Sequence, residues 1–326
     1  MYYMDCHCHL GVDAHLRDSE QLMQKLNQDR RISSEGFFNV MSTNRLDLEF
    51  LAALINLDES NILVPHFGIH PWYSHLFSID PSLSKIEHYS SVLSSLPEDL
   101  LDLLPDPIYL EDHIQKIMEL TQICHSMRKA YAIGEIGLDK LFRIPSNGFY
   151  GNQDFKTGVK LTAAKVSMEH QRAVFVRQLE LANRLEKPVS LHCVKAHGPF
   201  FDIVHSSFLE IPSVTLHSYT GSPDQAMRWV KEFSKQRRNL YFSFSNFING
   251  EGDRVASLSE LTTLIPEDHI LFETDMPIDR YFLSGREDEY FEQLYKIQAH
   301  ISKSKGVSEA ECNLIVQKNS LSLHLS

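Results

Sequence analysis

Ala132-Ile133-Gly134-Glu135-Ile136-Gly137-Leu138-Asp139 is a run of apolar and small residues broken by one carboxylate, Glu135. Such a run reads as a buried strand, and a buried carboxylate needs a cation, a hydrogen-bonding network or both to offset its desolvation. Two later segments repeat the form with a histidine near the end, Val189-Ser190-Leu191-His192-Cys193 and Val214-Thr215-Leu216-His217-Ser218. A further one, Ile270-Leu271-Phe272-Glu273-Thr274-Asp275, closes on a carboxylate, and Asp5-Cys6-His7-Cys8-His9 stands near the start. Any one of these histidines taken alone is more often a satisfied core residue than a ligand. Two on successive strand-like runs, with Glu135 one run earlier, reverse those odds. Ligands spread from His7 to Asp275 cannot form a local finger or loop. The fold that gathers strand ends is a parallel barrel.

Eight β-rich runs can be marked, at 2–9, 36–42, 63–70, 130–136, 188–193, 213–219, 240–245 and 270–275, and most precede a longer amphipathic segment. In 166–186, for example, Val174, Leu179, Leu181, Ala182 and Leu185 recur at helical spacing. The repeat predicts an α/β class and a right-handed (β/α)8 barrel. Two connections, 73–107 and 140–165, are too long for ordinary loops and follow the third and fourth strands on the ligand side. Insertions there serve as lids or substrate walls, or as ornament and partner-docking surface. No internal repeat or Gly/Ser linker divides the chain, so 1–326 is expected to be a single barrel domain. Residues 287–325 predict two helices, with Ser308 capping the second ahead of Glu311.

Composition bounds the function more loosely. At 326 residues and 43% hydrophobic the chain can bury a full core. Its net charge of -12 argues against a whole-surface grip on nucleic acid. It does not argue against a nucleic-acid substrate, because carboxylates that hold divalent cations count as negative in that tally. Five irregularly spaced cysteines, Cys6, Cys8, Cys124, Cys193 and Cys312, predict reduced thiols rather than a disulfide framework. The first residues lack the pattern of a leader peptide, and no long apolar stretch spans a membrane, so the expected location is the cytoplasm, the nucleus or both.

The strand period turns His7 and His9 to one side and Cys6 and Cys8 to the other, so the imidazoles can grip one metal while the cysteines pack. A carboxylate such as Glu135 can bridge two metals. Asp275 and Glu273 share a parity; Asp275, nearer the C-terminal mouth, is the inner residue. A cation lowers the pKa of its water toward about 7, and a carboxylate beside it acts as general base. Catalytic roles therefore fall to Asp275 and Glu135.

With these residues in place the chain resembles the TatD-like metal-dependent hydrolases of the amidohydrolase superfamily, over nearly its full length. The carriers are Asp5-Cys6-His7-Cys8-His9-Leu10, Gly68-Ile69-His70-Pro71, Gly134 to Asp139, Pro188 to His192, His217-Ser218-Tyr219-Thr220-Gly221 and Glu273-Thr274-Asp275-Met276-Pro277, in the family's order. The resemblance implies a distorted TIM barrel with two divalent metals. His7, His9 and Asp275 would surround one, His192 and His217 the other, with Glu135 bridging. It also implies hydrolysis of DNA phosphodiesters, often from the 3′ end of single strands. Imidazole ligands favour zinc or manganese, and the carboxylate bridge leaves magnesium open. The resemblance places His70 at the substrate mouth, against the alternative of a structural histidine before Pro71 and Trp72. Asp139 falls on the substrate side or behind the ligands. Family members commonly carry an arginine two residues after His192; here that position is Val194, with Lys195 next to it as the remaining candidate for substrate contact. Two rivals stand beside the nuclease: a hydrolase of a small amide, ester or phosphoester on the same site, and an interaction scaffold that uses the insertions.

Overall fold

The computed structural model describes residues 3–11, 18–32, 37–152 and 158–324. Tyr2, Gly36 and Leu325, at the edges of three predicted elements, and 153–157 of the second insertion lie outside the described residues. Ten strands follow in chain order: β1 (Asp5–Cys8), β2 (Phe38–Met41), β3 (Leu63–Phe67), β4 (Phe77–Ser78), β5 (Ile108–Tyr109), β6 (Ala132–Asp139), β7 (Val189–Val194), β8 (Ser213–Leu216), β9 (Asn239–Ser245) and β10 (Ile270–Glu273). Eight of them form one parallel sheet in the order β1-β2-β3-β6-β7-β8-β9-β10. Helices fill the intervals, which makes a nearly closed (β/α)8 TIM barrel, as the sequence pattern predicts.

Closure is made at the mouth, one residue beyond the first strand. The His9 N–H donates to the Met276 carbonyl at 2.9 Å, Asp275 N–H to the His7 carbonyl at 3.0 Å, and Ile278 N–H to the His9 carbonyl at 3.0 Å. Deeper in the seam, Asp5 ties the same two segments. One of its oxygens accepts the His7 and Thr274 amides, each at 3.1 Å, and the other accepts the Thr274 hydroxyl at 2.6 Å and the Tyr290 hydroxyl at 2.5 Å. The first and eighth strands thus meet in register where both carry ligand candidates.

Glycines set how closely the middle strands approach. A Cβ on Gly137 would stand 1.9 Å from the His192 carbonyl oxygen, its neighbour in the β6–β7 register. A Cβ on Gly68 would stand 2.6 Å from the Gly134 carbonyl carbon. Substitution at Gly137 would push β7 away from β6, and at Gly68 the end of β3 away from the β6 backbone at Glu135.

The insertions carry secondary structure of their own. The first holds a 3-10 turn (Pro71–Leu76), two short helices (Lys85–Val92 and Glu98–Leu103) and the parallel pair β4–β5. It joins the second insertion through Ser94 N–H to the Lys165 carbonyl and Lys165 N–H to Ser94 Oγ. Buried histidines lock the knot: His75 meets the Gly148 carbonyl at 3.1 Å, His88 the His75 carbonyl at 2.8 Å and His170 the Ser74 carbonyl at 2.9 Å. The helix expected near 166–186 spans Met168–Leu185 with Ser167 as its cap. At the C-terminal end Glu287–Lys305 and Glu309–His324 form the two predicted helices, and Ser308 and Glu311 bond reciprocally. Cys6 and Cys8 pack against Ser320 and the Asn39 carbonyl, on the side away from the imidazoles. Among the described residues no helix is long and apolar enough to cross a membrane.

Candidate metal centre

His7, His9, Glu135, His192, His217 and Asp275 converge at the strand ends, as the sequence reading requires. Glu135 is the hub. Its Oε2 lies 3.3 Å from His7 Nε2 and 3.3 Å from His9 Nε2. Its Oε1 lies 2.7 Å from His217 Nε2, 2.8 Å from His192 Nδ1 and 3.2 Å from His70 Nε2. Asp275 Oδ1 completes the first group at 3.1 Å from His9 Nε2 and 3.9 Å from His7 Nε2. The two carboxylate oxygens therefore face two separate sets of imidazoles.

These groups fit divalent cations better than they fit one another. His7 Nε2 and His9 Nε2 are 3.3 Å apart, and His192 Nδ1 and His217 Nε2 are 3.0 Å apart. Ligands about 2.1 Å from a shared ion, at angles between octahedral and tetrahedral, stand roughly 3.0 to 3.4 Å apart. Glu135 Oε1 is buried with three nitrogens around it, yet among the described residues it has no aligned hydrogen bond; His192 Nε2 and Glu273 Oε2 likewise have none there. Buried polar atoms left in this state call for a partner.

The protonation tendencies agree. Burial pushes the Glu135 carboxyl up, but the imidazoles of His70, His217 and His7 outweigh it and hold the group well below its ordinary value. Burial lowers His9, His192 and His217, but carboxylates at Asp275, Asp139, Glu135 and Glu273 reverse this, and all three end above the ordinary imidazole range. His7, fully buried beside His217, goes the other way and ends below that range.

Behind the ligand candidates stand residues that fix ring orientation, the support that a metal site needs. His7 Nδ1 meets Ser190 Oγ at 2.9 Å. His217 Nδ1 lies 3.3 Å from Glu273 Oε1, which also accepts the Ser218 amide at 2.8 Å and its hydroxyl at 2.7 Å. The parity of Glu273 with Asp275 was the one signal for this in the sequence. Asp275 lies two residues past β10, not within it, with φ at 60°; Ser218, at 37°, and Lys195, at 55°, are likewise left-handed just past their strands. Such strain in non-glycine residues gathers at functional sites.

His70 and Asp139 lie at the mouth, and Lys195 does not. The His70 ring accepts the Trp72 N–H at Nδ1, 3.1 Å away, so in its neutral form the proton sits on Nε2, which faces Glu135. That tautomer presents a donor, not a lone pair for metal. Burial lowers His70 to about 4, which keeps it neutral. Asp139 accepts the Trp72 indole N–H at 2.7 Å, holds the Leu141 and Phe142 amides, and lies 3.6 Å from His192 Nε2. It positions the tryptophan beside the second group of ligands. Lys195 is exposed and outside the lining of the cavity, whose volume is about 410 Å³. Val194, Trp72, Phe247 and Arg280 line that cavity together with His9, Glu135, His192, His217 and Asp275. Sequence reasoning passed over Phe247 and Arg280 because they carry no ligand chemistry.

The sequence profile of TatD related DNase matches residues 4–324. The chain is 39% identical over 277 residues, 81% of this chain and 82% of that protein, to an uncharacterized deoxyribonuclease of Saccharomyces cerevisiae. It is 29% identical over 303 residues, 81% of this chain and 86% of that protein, to the Cut9-interacting protein scn1 of Schizosaccharomyces pombe. Its backbone resembles the crystal structure of a TatD homologue of Escherichia coli with a TM-score of 0.60 at 18% identity, over 99% of this chain and 98% of that one. The ordered ligand motifs, the barrel that assembles them and the near full-length profile match have one reading: the chain belongs to the TatD-related DNase family.

Proposed function

We propose that this chain is a metal-dependent hydrolase of DNA phosphodiesters, with single strands as the substrate form. The observation that carries the reading is Glu135, a buried carboxylate whose two oxygens face two separate histidine groups. His7, His9 and Asp275 would hold one divalent ion and His192 and His217 a second, with Glu135 shared between them; zinc, manganese and magnesium all suit the donors. Bound there, such ions supply Lewis acidity and lower the pKa of water toward about 7. Asp275, held ionised by its imidazole neighbours against the cost of burial, takes the proton of the attacking water. His70 lines the cavity, where its Nε2–H faces and orients the Glu135 carboxylate. A cavity of about 410 Å³, flanked by folded insertions, suits a strand end better than a duplex.

The test is direct. Protein stripped of metal and reloaded with magnesium, manganese or zinc is expected to cut a labelled single-stranded oligonucleotide with at least one of them. No cleavage of DNA under any of these conditions would overturn the reading.

The name of the Schizosaccharomyces relative favours a second reading beside the first, that the insertions also dock a protein partner. Ile79 and Ile86, 53% and 56% exposed on the first insertion, are the apolar groups available for it. A cellular phenotype that survives loss of cleavage but not Ile79→Ser with Ile86→Ser would make binding the function that matters; the reverse pattern would dismiss it. We also take 1–326 as one barrel unit of the reducing cytoplasm or nucleus, supported by one buried core running from Cys6 to Leu323 and by five free cysteines.

A further inference from the structure

The cavity is acidic at its floor and aromatic at its rim. Phe247 is 58% exposed, yet the turn that carries it, Asn246–Asn249, is pinned from below by buried polar groups. Asn249 accepts the Ser245 amide at 3.1 Å and donates to the Tyr219 carbonyl at 3.0 Å, Ser245 Oγ accepts the Ile248 amide at 3.2 Å, and Asn246 donates to Gln293 at 2.8 Å. An exposed phenylalanine on a loose loop would fold down onto apolar surface. On this turn it is held out in water, at the edge of the ligand cavity.

A second ring faces it. Trp72 follows β3 and Phe247 follows β9, and in the eight-stranded order four steps separate these strands, which places them on opposite sides of the mouth. Trp72 is fixed as firmly, by its indole bond to Asp139 at 2.7 Å and by stacking on Phe142 at 5.1 Å. Between them, after β10, comes Arg280. It is exposed, it is the one Lys or Arg among the described residues that line the cavity, and no ion pair among the described residues includes it. An unpaired guanidinium at the rim of a cavity floored by Glu135, Asp139 and Asp275 repels nothing that carries phosphate and matches it in charge.

We propose that this rim is the subsite for a nucleic-acid strand end, with Phe247 as a base-stacking platform and Arg280 as the anchor for a phosphate that is not cut. The inference deepens the nuclease reading and rests on it. Stacking on a pre-ordered ring is tolerant of base identity and loses little conformational freedom. It also accounts for how a chain of net charge -12 can hold a polyanion: the grip is aromatic, with a single side-chain cation, so it needs no basic surface.

Both side chains are exposed, so Phe247→Ala, Phe247→Trp and Arg280→Gln should all fold. The experiment measures KM and kcat of the metal-loaded enzyme on a single-stranded oligonucleotide, and binding of a fluorescent, cleavage-resistant phosphorothioate form of the same oligonucleotide to the same metal-loaded protein by anisotropy. Phe247→Ala should weaken both KM and binding about tenfold with kcat nearly unchanged, and Phe247→Trp should restore them. On an oligonucleotide with an abasic end Phe247→Ala should lose almost nothing further. Arg280→Gln should weaken binding and flatten the slope of log affinity against log salt by about 0.7, the share of one phosphate contact on a single strand. If cleavage persists while KM, binding and salt slope are unmoved by either substitution, the subsite is wrong and the nuclease reading stands. If the unaltered chain neither binds nor cuts nucleic acid, the nuclease reading falls and takes the subsite with it.

Discussion

Buried histidines occupy two kinds of place in this barrel. At the mouth, His9, His192 and His217 face carboxylates and are held above the ordinary imidazole range against their burial. At the opposite end and beneath the insertions the rings face neutral acceptors. His66 and His324 share the Asn39 side-chain oxygen, at 3.0 and 2.7 Å, and His75, His88 and His170 donate to backbone carbonyls. Burial pushes all of these down, His75 to about 3 and His170 and His324 to about 4. A neutral ring satisfies a carbonyl with one N–H and needs no counter-charge. A cluster of imidazoles becomes a cation site when buried carboxylates stand among them, and in this chain Glu135, Asp275 and Glu273 make that difference.

The comparison can be broken by substitution. Glu135→Gln is expected to lower cleavage on the order of a thousandfold or more, because it removes the charge shared by both ligand groups. His66→Ala should leave kcat within about twofold and lower stability by about 1–3 kcal/mol, for one lost buried hydrogen bond and the cavity left by the ring. Equal losses of activity from the two, measured on folded protein, would erase the distinction. One step back from the ligands, Glu273→Gln should reduce metal affinity about 10–100-fold, read by titration calorimetry with zinc. Unchanged affinity would show that the His217 ring is oriented by packing alone.

The smallest effect is on acid stability. His113 is buried against Phe77, neither ring nitrogen has a hydrogen-bond partner among the described residues, and burial, with Lys116 and Arg45 nearby, lowers it to about 4. The unfolded ring takes a proton near pH 6.5, so above that pH both states are neutral and the contribution is fully present. As pH falls from about 6.5 through about 4 the unfolded chain binds the proton first, and stability is lost. His113→Phe should therefore gain on the unaltered chain as pH falls from 7 to 4.5 in urea titrations. A constant difference across that range would mean the ring titrates in the fold as it does in water.

Much of this was legible in the chain. The period of two that sets His7 and His9 apart from Cys6 and Cys8 is local chemistry, and it survives folding because a strand can present only two faces. The insertions were harder to read. Strands of two residues, such as Phe77–Ser78 and Ile108–Tyr109, carry no period and exist because they pair with each other. Lys195 is close in sequence to His192, yet past the end of β7 the backbone turns left-handed and the side chain stays outside the cavity. Arg280 and Phe247 become visible as a pair only once β9 and β10 are neighbours in the sheet.

The sequence by itself determined the donor set, its order along the chain and the strand ends that carry it, since residue type and side-chain alternation are local properties. Tertiary structure alone decided which imidazoles share which oxygen of Glu135, that His70 turns a proton rather than a lone pair toward it, and which rings face each other across the mouth. The first two are separations of 2.7 to 3.3 Å between residues on different strands, set by register, glycine-permitted approach and closure of β1 on β10. No local pattern encodes a distance that only the closed barrel brings about.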